Sequence, residues 1–107
     1  MDLGEADLSG ADLRGVKFID ANLSDANLNL ADCTSADFRG ANLDGANLEG
    51  LRAFNLISCS EPTSPLNWSC VAQANSRYAL VGPSADLSGA DLRGVDLRGA
   101  DLSLIHI

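Results

Sequence analysis

The chain has 107 residues, 15 acidic against 7 basic, and a formal net charge of −8. That size fits one small unit, and that charge is repelled by a phosphate backbone, so direct nucleic-acid binding through a basic patch is excluded. Aromatic residues make up only 5%, too few for an ordinary aromatic-rich core, and no apolar run nears the roughly 18 residues of a membrane span, so no membrane insertion is expected.

From the first residue the sequence repeats. Leu3, Leu8, Leu13, Phe18, Leu23, Leu28, Cys33, Phe38, Leu43 and Leu48 follow one another at intervals of five without a slip. Two residues before each, from Leu8 on, stands a small apolar residue: Ala6, Ala11, Val16, Ala21, Ala26, Ala31, Ala36, Ala41 and Ala46. The unit is Ala-(Asp/Asn)-Leu-x-x. A period of five matches neither the 3.6 of a helix nor the alternation of a long strand; it fits a chain that turns a corner every five residues. Each unit places its small and large apolar residues inward and turns at the last two, which often end in Gly. Four such sides close a square coil of twenty residues, stacked at roughly the 4.8 Å spacing of neighbouring strands.

A spacing of twenty then predicts the columns. Phe18 stacks on Phe38; Leu3, Leu23 and Leu43 form a second column, Leu8, Leu28 and Leu48 a third, and Leu13, Cys33 and Ala53 a fourth, which buries Cys33 as an inert thiol. Outward, Asp2 is followed by Asn22 and Asn42, and Asp7 by Asn27 and Asn47, so like charges are diluted by amide ladders that hydrogen-bond along the stack. The remaining faces run Asp12, Asp32, Arg52, and Lys17 with Asp37. Residues 1–53 carry ten acids against four bases, 54–84 are neutral, and 85–107 carry four acids against two bases.

Residues 54–84 interrupt the repeat. They hold the only Trp, the only Tyr and all three Pro, and a long excursion from a solenoid belongs on a binding face. Pro62 and Pro65 predict a turn-rich tip, and Ser69–Leu80 predict a short helix capped by Asn67 or Ser69. Leu66, Trp68 and Tyr78 are the candidate partner-binding anchors, since aromatic residues dominate interface energies. Cys59 and Cys70 either form a disulfide stapling the loop, which would contribute about 2–3 kcal/mol, or stay as free thiols in a reducing compartment. The triplets Asn67-Trp68-Ser69 and Asn22-Leu23-Ser24 fit a glycosylation sequon but are too short to assign a role.

The repeat resumes in a new register at Ala85-Asp86-Leu87, continues through Leu92, Leu97 and Leu102, and gives way to the apolar tail Ser103–Ile107. With units in both blocks, the chain resembles the pentapeptide-repeat family, whose consensus is Ala-(Asn/Asp)-Leu-x-x. The resemblance implies an all-β, right-handed quadrilateral parallel β-helix. Here that gives about four coils, divided into coils over 1–53, the loop 54–84, and a coil with its tail over 85–107.

No nucleophile and base recur at a catalytic spacing, and Cys33, Cys59, Cys70 and His106 lack the short Cys pair that seeds a zinc site, so no enzyme, cofactor or metal is expected. The expected function is a scaffold that binds an unidentified protein partner through the 54–84 loop. The resemblance also offers an alternative: related proteins mimic DNA and bind DNA gyrase, modulating it or protecting it from quinolones. It further implies a bacterial source. The absence of a signal segment at Met1–Asp7 favours a cytoplasmic location, and an oxidised Cys59–Cys70 pair would suit an exported one. With no capping unit at either end, end-to-end self-association or membership of a longer chain is expected.

Overall fold

In a computed structural model of the chain, residues 1–59 and 68–107 are described. Each five-residue unit is a short extended side followed by a turn. The carbonyl of Leu3 accepts the Ala6 N–H at 3.0 Å, and the same bond recurs at Leu8, Leu13, Phe18, Leu23 and onward along the repeat. The fifth residue of these units has a left-handed backbone whether or not it is Gly: Glu5, Asp20, Asp25, Leu30 and Ser35 share φ values of 58–66° with the glycines near 70°. A left-handed third residue after such a bond makes each corner a type II turn. The Asp or Asn of the unit holds that corner, its Oδ1 accepting the N–H two residues on, as in Asp7 with Ser9 at 3.1 Å and Asn27 with Asn29 at 3.0 Å. The preference for Asp or Asn before the central Leu is therefore turn chemistry, and the stacked amides come second: Asn22 Nδ2 donates along the stack to Asp2 Oδ1 at 3.2 Å.

Successive coils pair in parallel at a spacing of twenty, through Asp2 with Asn22, Asp7 with Asn27, Asp12 with Asp32 and Lys17 with Asp37, and again from Asn22, Asn27 and Asp32 to Asn42, Asn47 and Arg52. Only one residue per side bridges, because turns flank it on both sides. Inside, the central residues from Phe18 to Leu48 and the intervening alanines from Ala21 to Ala46 are buried. Phe18 and Phe38 stack with ring centroids 5.2 Å apart. At Leu51-Arg52-Ala53 the large and small inward residues exchange places, and both are buried.

The coil path continues past Ala53 to Ser58. Asp37 pairs with Ser58, 21 residues on, so the side at Leu56 and Ile57 carries one extra residue; Leu56 is buried and Ile57 exposed.

The predicted helix over 69–80 is absent. In its place stands an antiparallel hairpin, β1 (Ser69–Ala72) and β2 (Tyr78–Val81), with Cys70 opposite Leu80. Its Cys-Val-Ala and Tyr-Ala-Leu-Val segments have the β-branched and aromatic content of strands, and the coil edge supplies what local propensity does not show. Tyr78 and Leu56 exchange both backbone hydrogen bonds, at 2.8 and 3.0 Å, and the Leu80 N–H donates to the Ala53 carbonyl at 2.8 Å. The hairpin thus closes the edge of the coil with backbone groups that would otherwise be orphaned.

The repeat then resumes on the old column. The Asp86 N–H donates to the Leu51 carbonyl at 3.0 Å, and Asp86 pairs with His106 twenty residues later. The segment read as an apolar tail is a divergent unit, with Ile105 and Ile107 in the places of Ala85 and Leu87. One face therefore runs Asp12, Asp32, Arg52, Asp86, His106. Arg52 ties it together, 3.8 Å from Asp32, 3.3 Å from Asp86, and donating to Ser88 Oγ at 2.7 Å.

Candidate functional site

Among the described residues, the hairpin is the irregular element on an otherwise repeating surface. The Cys59–Cys70 disulfide joins its outer strand to the coil. Trp68 is half-buried and packs against both apolar clusters, the one inside residues 18–56 and the one formed by Phe54, Ala79, Val81, Ala85 and Leu87. Gly82 lets it do so, since a Cβ there would overlap the indole ring. Tyr78 is half-buried against the first cluster. Of the three predicted anchors, two rings therefore serve partly to seat the hairpin, and Leu66 lies outside the described residues. Leu92, Leu97 and Leu102, like Leu3, Leu8 and Leu13, are only partly buried, in the two terminal coils.

The hairpin tip copies a coil corner. Asn55 Nδ2 donates to Ser35 Oγ at 3.3 Å, and Asn75 Nδ2 donates to Asn55 Oδ1 at 3.1 Å, so Ser35, Asn55 and Asn75 form a side-chain ladder at a spacing of twenty. Asn75 also holds its own turn, Oδ1 accepting the Arg77 N–H at 3.0 Å. Beside it the side chain of Gln73, 5% exposed, stands in for a missing peptide group. In the regular stack the Ser35 N–H donates to the Phe54 carbonyl; at the next level the Asn55 N–H donates to Gln73 Oε1 at 2.7 Å, and Gln73 Nε2 donates to the Asp91 carbonyl at 2.8 Å. Sequence reasoning missed Gln73 and Asn75. The spacing of twenty from Ser35 through Asn55 pointed to Asn75; Gln73 gave no such signal.

A cleft of about 260 Å³ opens here, lined by Thr34, Phe54, Asn55, Gln73, Asn75, Gly89 and Asp91. Arg52 lies over the Phe54 ring, 5.1 Å from its centroid. At the rim both oxygens of Asp91 accept from Arg93 at 3.0 Å, which holds the Asp91 carboxyl down at about 2.

The same pairing of Asp with an Arg two residues on recurs over the surface. Arg14 holds Asp12 at about 2, and Arg39 lowers the buried Asp37. Arg98 lowers Asp96. At Asp86 burial opposes ionisation, but Ser88 and Arg52 outweigh it and the carboxyl is lowered. Cys33 is fully buried in its column, and burial pushes its thiol up to about 12. Among the described residues no group of His, Cys, Asp and Glu could hold a metal ion, and no helix is long and apolar enough to cross a membrane.

The pattern of five, the corners and the parallel pairing meet in one comparison: the family model for pentapeptide repeats matches residues 2–32, 31–51 and 84–104, with eight copies. The chain belongs to the pentapeptide-repeat family. Pentapeptide repeats imply a β-helix-type fold and a repeat scaffold, and their proteins are in general structural or interaction proteins without enzymatic activity. The matches stop on either side of the hairpin, so this pentapeptide-repeat protein carries in residues 52–83 a segment the repeat does not define. No curated protein matches the chain with significant similarity.

Proposed function

We propose that this pentapeptide-repeat protein is a non-enzymatic scaffold that presents residues 54–84 to a protein partner, on a right-handed quadrilateral β-helix of about four coils. The observation that carries the reading is the hairpin itself. A regular stack needs no such element, and here it is stapled by a disulfide, seated by Trp68 and aligned by Gln73, which gives a preorganised surface of the kind that limits the entropy lost on binding. Its outer strand alternates half-buried and exposed residues, with Cys70 and Ala72 outward.

The DNA-mimic alternative is weakened by the pairing of Asp12, Asp37, Asp91 and Asp96 with arginines two residues on, which neutralises carboxylates that a mimic of a phosphate backbone would leave free. A gyrase supercoiling assay with the purified protein separates the two: unchanged supercoiling at micromolar protein agrees with the scaffold reading, and inhibition or quinolone protection overturns it.

The direct test places a photo-crosslinking residue at exposed Ala72 and repeats the capture with residues 60–67 replaced by a Gly-Ser linker, which spares buried Leu56 and Leu80. One protein crosslinked from Ala72 and lost or weakened with the linker is the expected result. A partner crosslinked equally well from Asp44 on the coil surface, unaffected by the linker, would refute recognition by this segment.

A further inference from the structure

We propose that the cleft at the hairpin tip is a binding site for a neutral ligand bearing hydroxyl and amide groups, about the size of one sugar ring. At about 260 Å³ it lies just below the usual range for drug-sized ligands, which suits a monosaccharide.

Its lining selects the chemistry. Asn55 and Asn75 each use one amide hydrogen and one oxygen lone pair in the ladder between them and to Ser35 and Arg77. A carboxamide has two of each, so both keep a donor and an acceptor for a ligand. Thr34 Oγ1 donates to Asp32 Oδ1 at 2.6 Å and keeps its lone pairs. An apolar ligand would strip water from these groups without replacing its hydrogen bonds. A cation finds the Asp91 carboxylate already occupied by Arg93 on both oxygens, and an anion finds no Arg, Lys or His in the lining. A ring that carries both donors and acceptors along its edge, and C–H groups on its face, matches the carboxamides and the apolar wall of Phe54.

The site is also rigid. Gln73 is fixed at both ends of its amide, and through it the coil corner at Asn55 and the later corner at Asp91 are held in register. Groups fixed before the ligand arrives lose little freedom on binding.

The test is a ¹H–¹⁵N titration of the full chain with N-acetylglucosamine and, separately, methyl β-glucoside. The expected result is saturable shifts at the side-chain amides of Asn55 and Asn75 and the backbone of Thr34 and Gly89, with a dissociation constant of about 1–10 mM for at least one sugar. Asn75→Asp keeps the Oδ1 that holds the Arg77 turn but removes the Nδ2 donor together with its ladder bond to Asn55 Oδ1; Thr34→Val leaves that ladder intact, keeps the volume and removes the hydroxyl. Both should bind at least about threefold more weakly while retaining the wild-type spectrum away from the cleft. Neither sugar producing saturable shifts there, or both variants binding as wild type does, overturns the proposal.

Discussion

Replacing Gln73 by Leu keeps nearly the same bulk and removes the amide that joins two coil corners. Two backbone groups then lose their partners, the Asn55 N–H and the Asp91 carbonyl, now satisfied at 2.7 and 2.8 Å. An unsatisfied buried group costs about 1–3 kcal/mol, but both residues are only half-buried and line a cleft that water enters, so the lower end applies to each. Gln73→Leu should therefore destabilise the protein by about 2–3 kcal/mol, a large share of the stability expected for a chain this size. Gln73→Glu separates the two bonds. Its carboxylate still accepts from Asn55 but faces the Asp91 carbonyl oxygen, which, with burial, raises its folded pKa above the unfolded value of about 4.3. A raised carboxyl pKa costs the folded state nothing below the unfolded value, where the acid is protonated and can donate. The penalty grows as pH rises from there to the folded pKa. Urea unfolding at about pH 4 and pH 7 reads both effects. Wild-type stability for Gln73→Leu, or a Gln73→Glu deficit independent of pH, would refute the surrogate-peptide role.

Other consequences can be checked in the same way. A Cβ at Gly45, whose φ is +73°, would meet Asp25 Oδ1 from the coil before, an exposed side-chain end that can turn aside; Gly45→Ala should cost about 1–2 kcal/mol, mainly from the left-handed backbone, and a double-mutant cycle with Asp25→Gly should show little coupling. Reducing Cys59–Cys70, which are 11 residues apart, should remove about 2–3 kcal/mol, and a Cys59→Ser/Cys70→Ser variant should then be insensitive to reductant. Cys33 should resist a thiol reagent in the native state near neutral pH and react only on unfolding, because its thiol is buried and titrates at about 12. Asp12 titrates at about 2 in the fold against 3.8 for a free side chain, so its contribution is present above that free value and is lost as pH falls to about 2. Thermal melts of Asp12→Asn should show a shallower loss of midpoint than wild type across that interval.

The repeating part of the fold was legible because one residue type does one job at a fixed spacing. Phe18 over Phe38, Cys33 in its column and the pairing of Asp2 with Asn22 all follow from the number twenty. The role of Asp and Asn was read less fully, since stacking is a feature of columns whereas the hydrogen bond to the N–H two residues on is local to each corner. The hairpin was misread as a helix because Ser69–Leu80 contains no Pro and has residues acceptable to either state; the unpaired edge at Ala53 and Leu56 that favours a strand comes from elsewhere in the chain. Trp68 and Tyr78 were read as partner anchors because aromatic residues dominate interface energies, and the fold uses both rings in packing as well; Gly82, which admits the indole, gave no periodic signal. Gln73 was illegible in principle: a side chain that substitutes for a backbone group obeys no spacing.

Gln73 builds the hairpin into the stack, and hydrogen exchange at the Asn55 amide measures this most directly. If Gln73 supplies its acceptor, this amide exchanges as slowly as that of Ser35 one coil earlier, which donates to the Phe54 carbonyl, and becomes fast in Gln73→Leu while Ser35 does not. An Asn55 amide that exchanges as rapidly in the wild type as one without a hydrogen bond would show that Gln73 does not tie the hairpin to the coil.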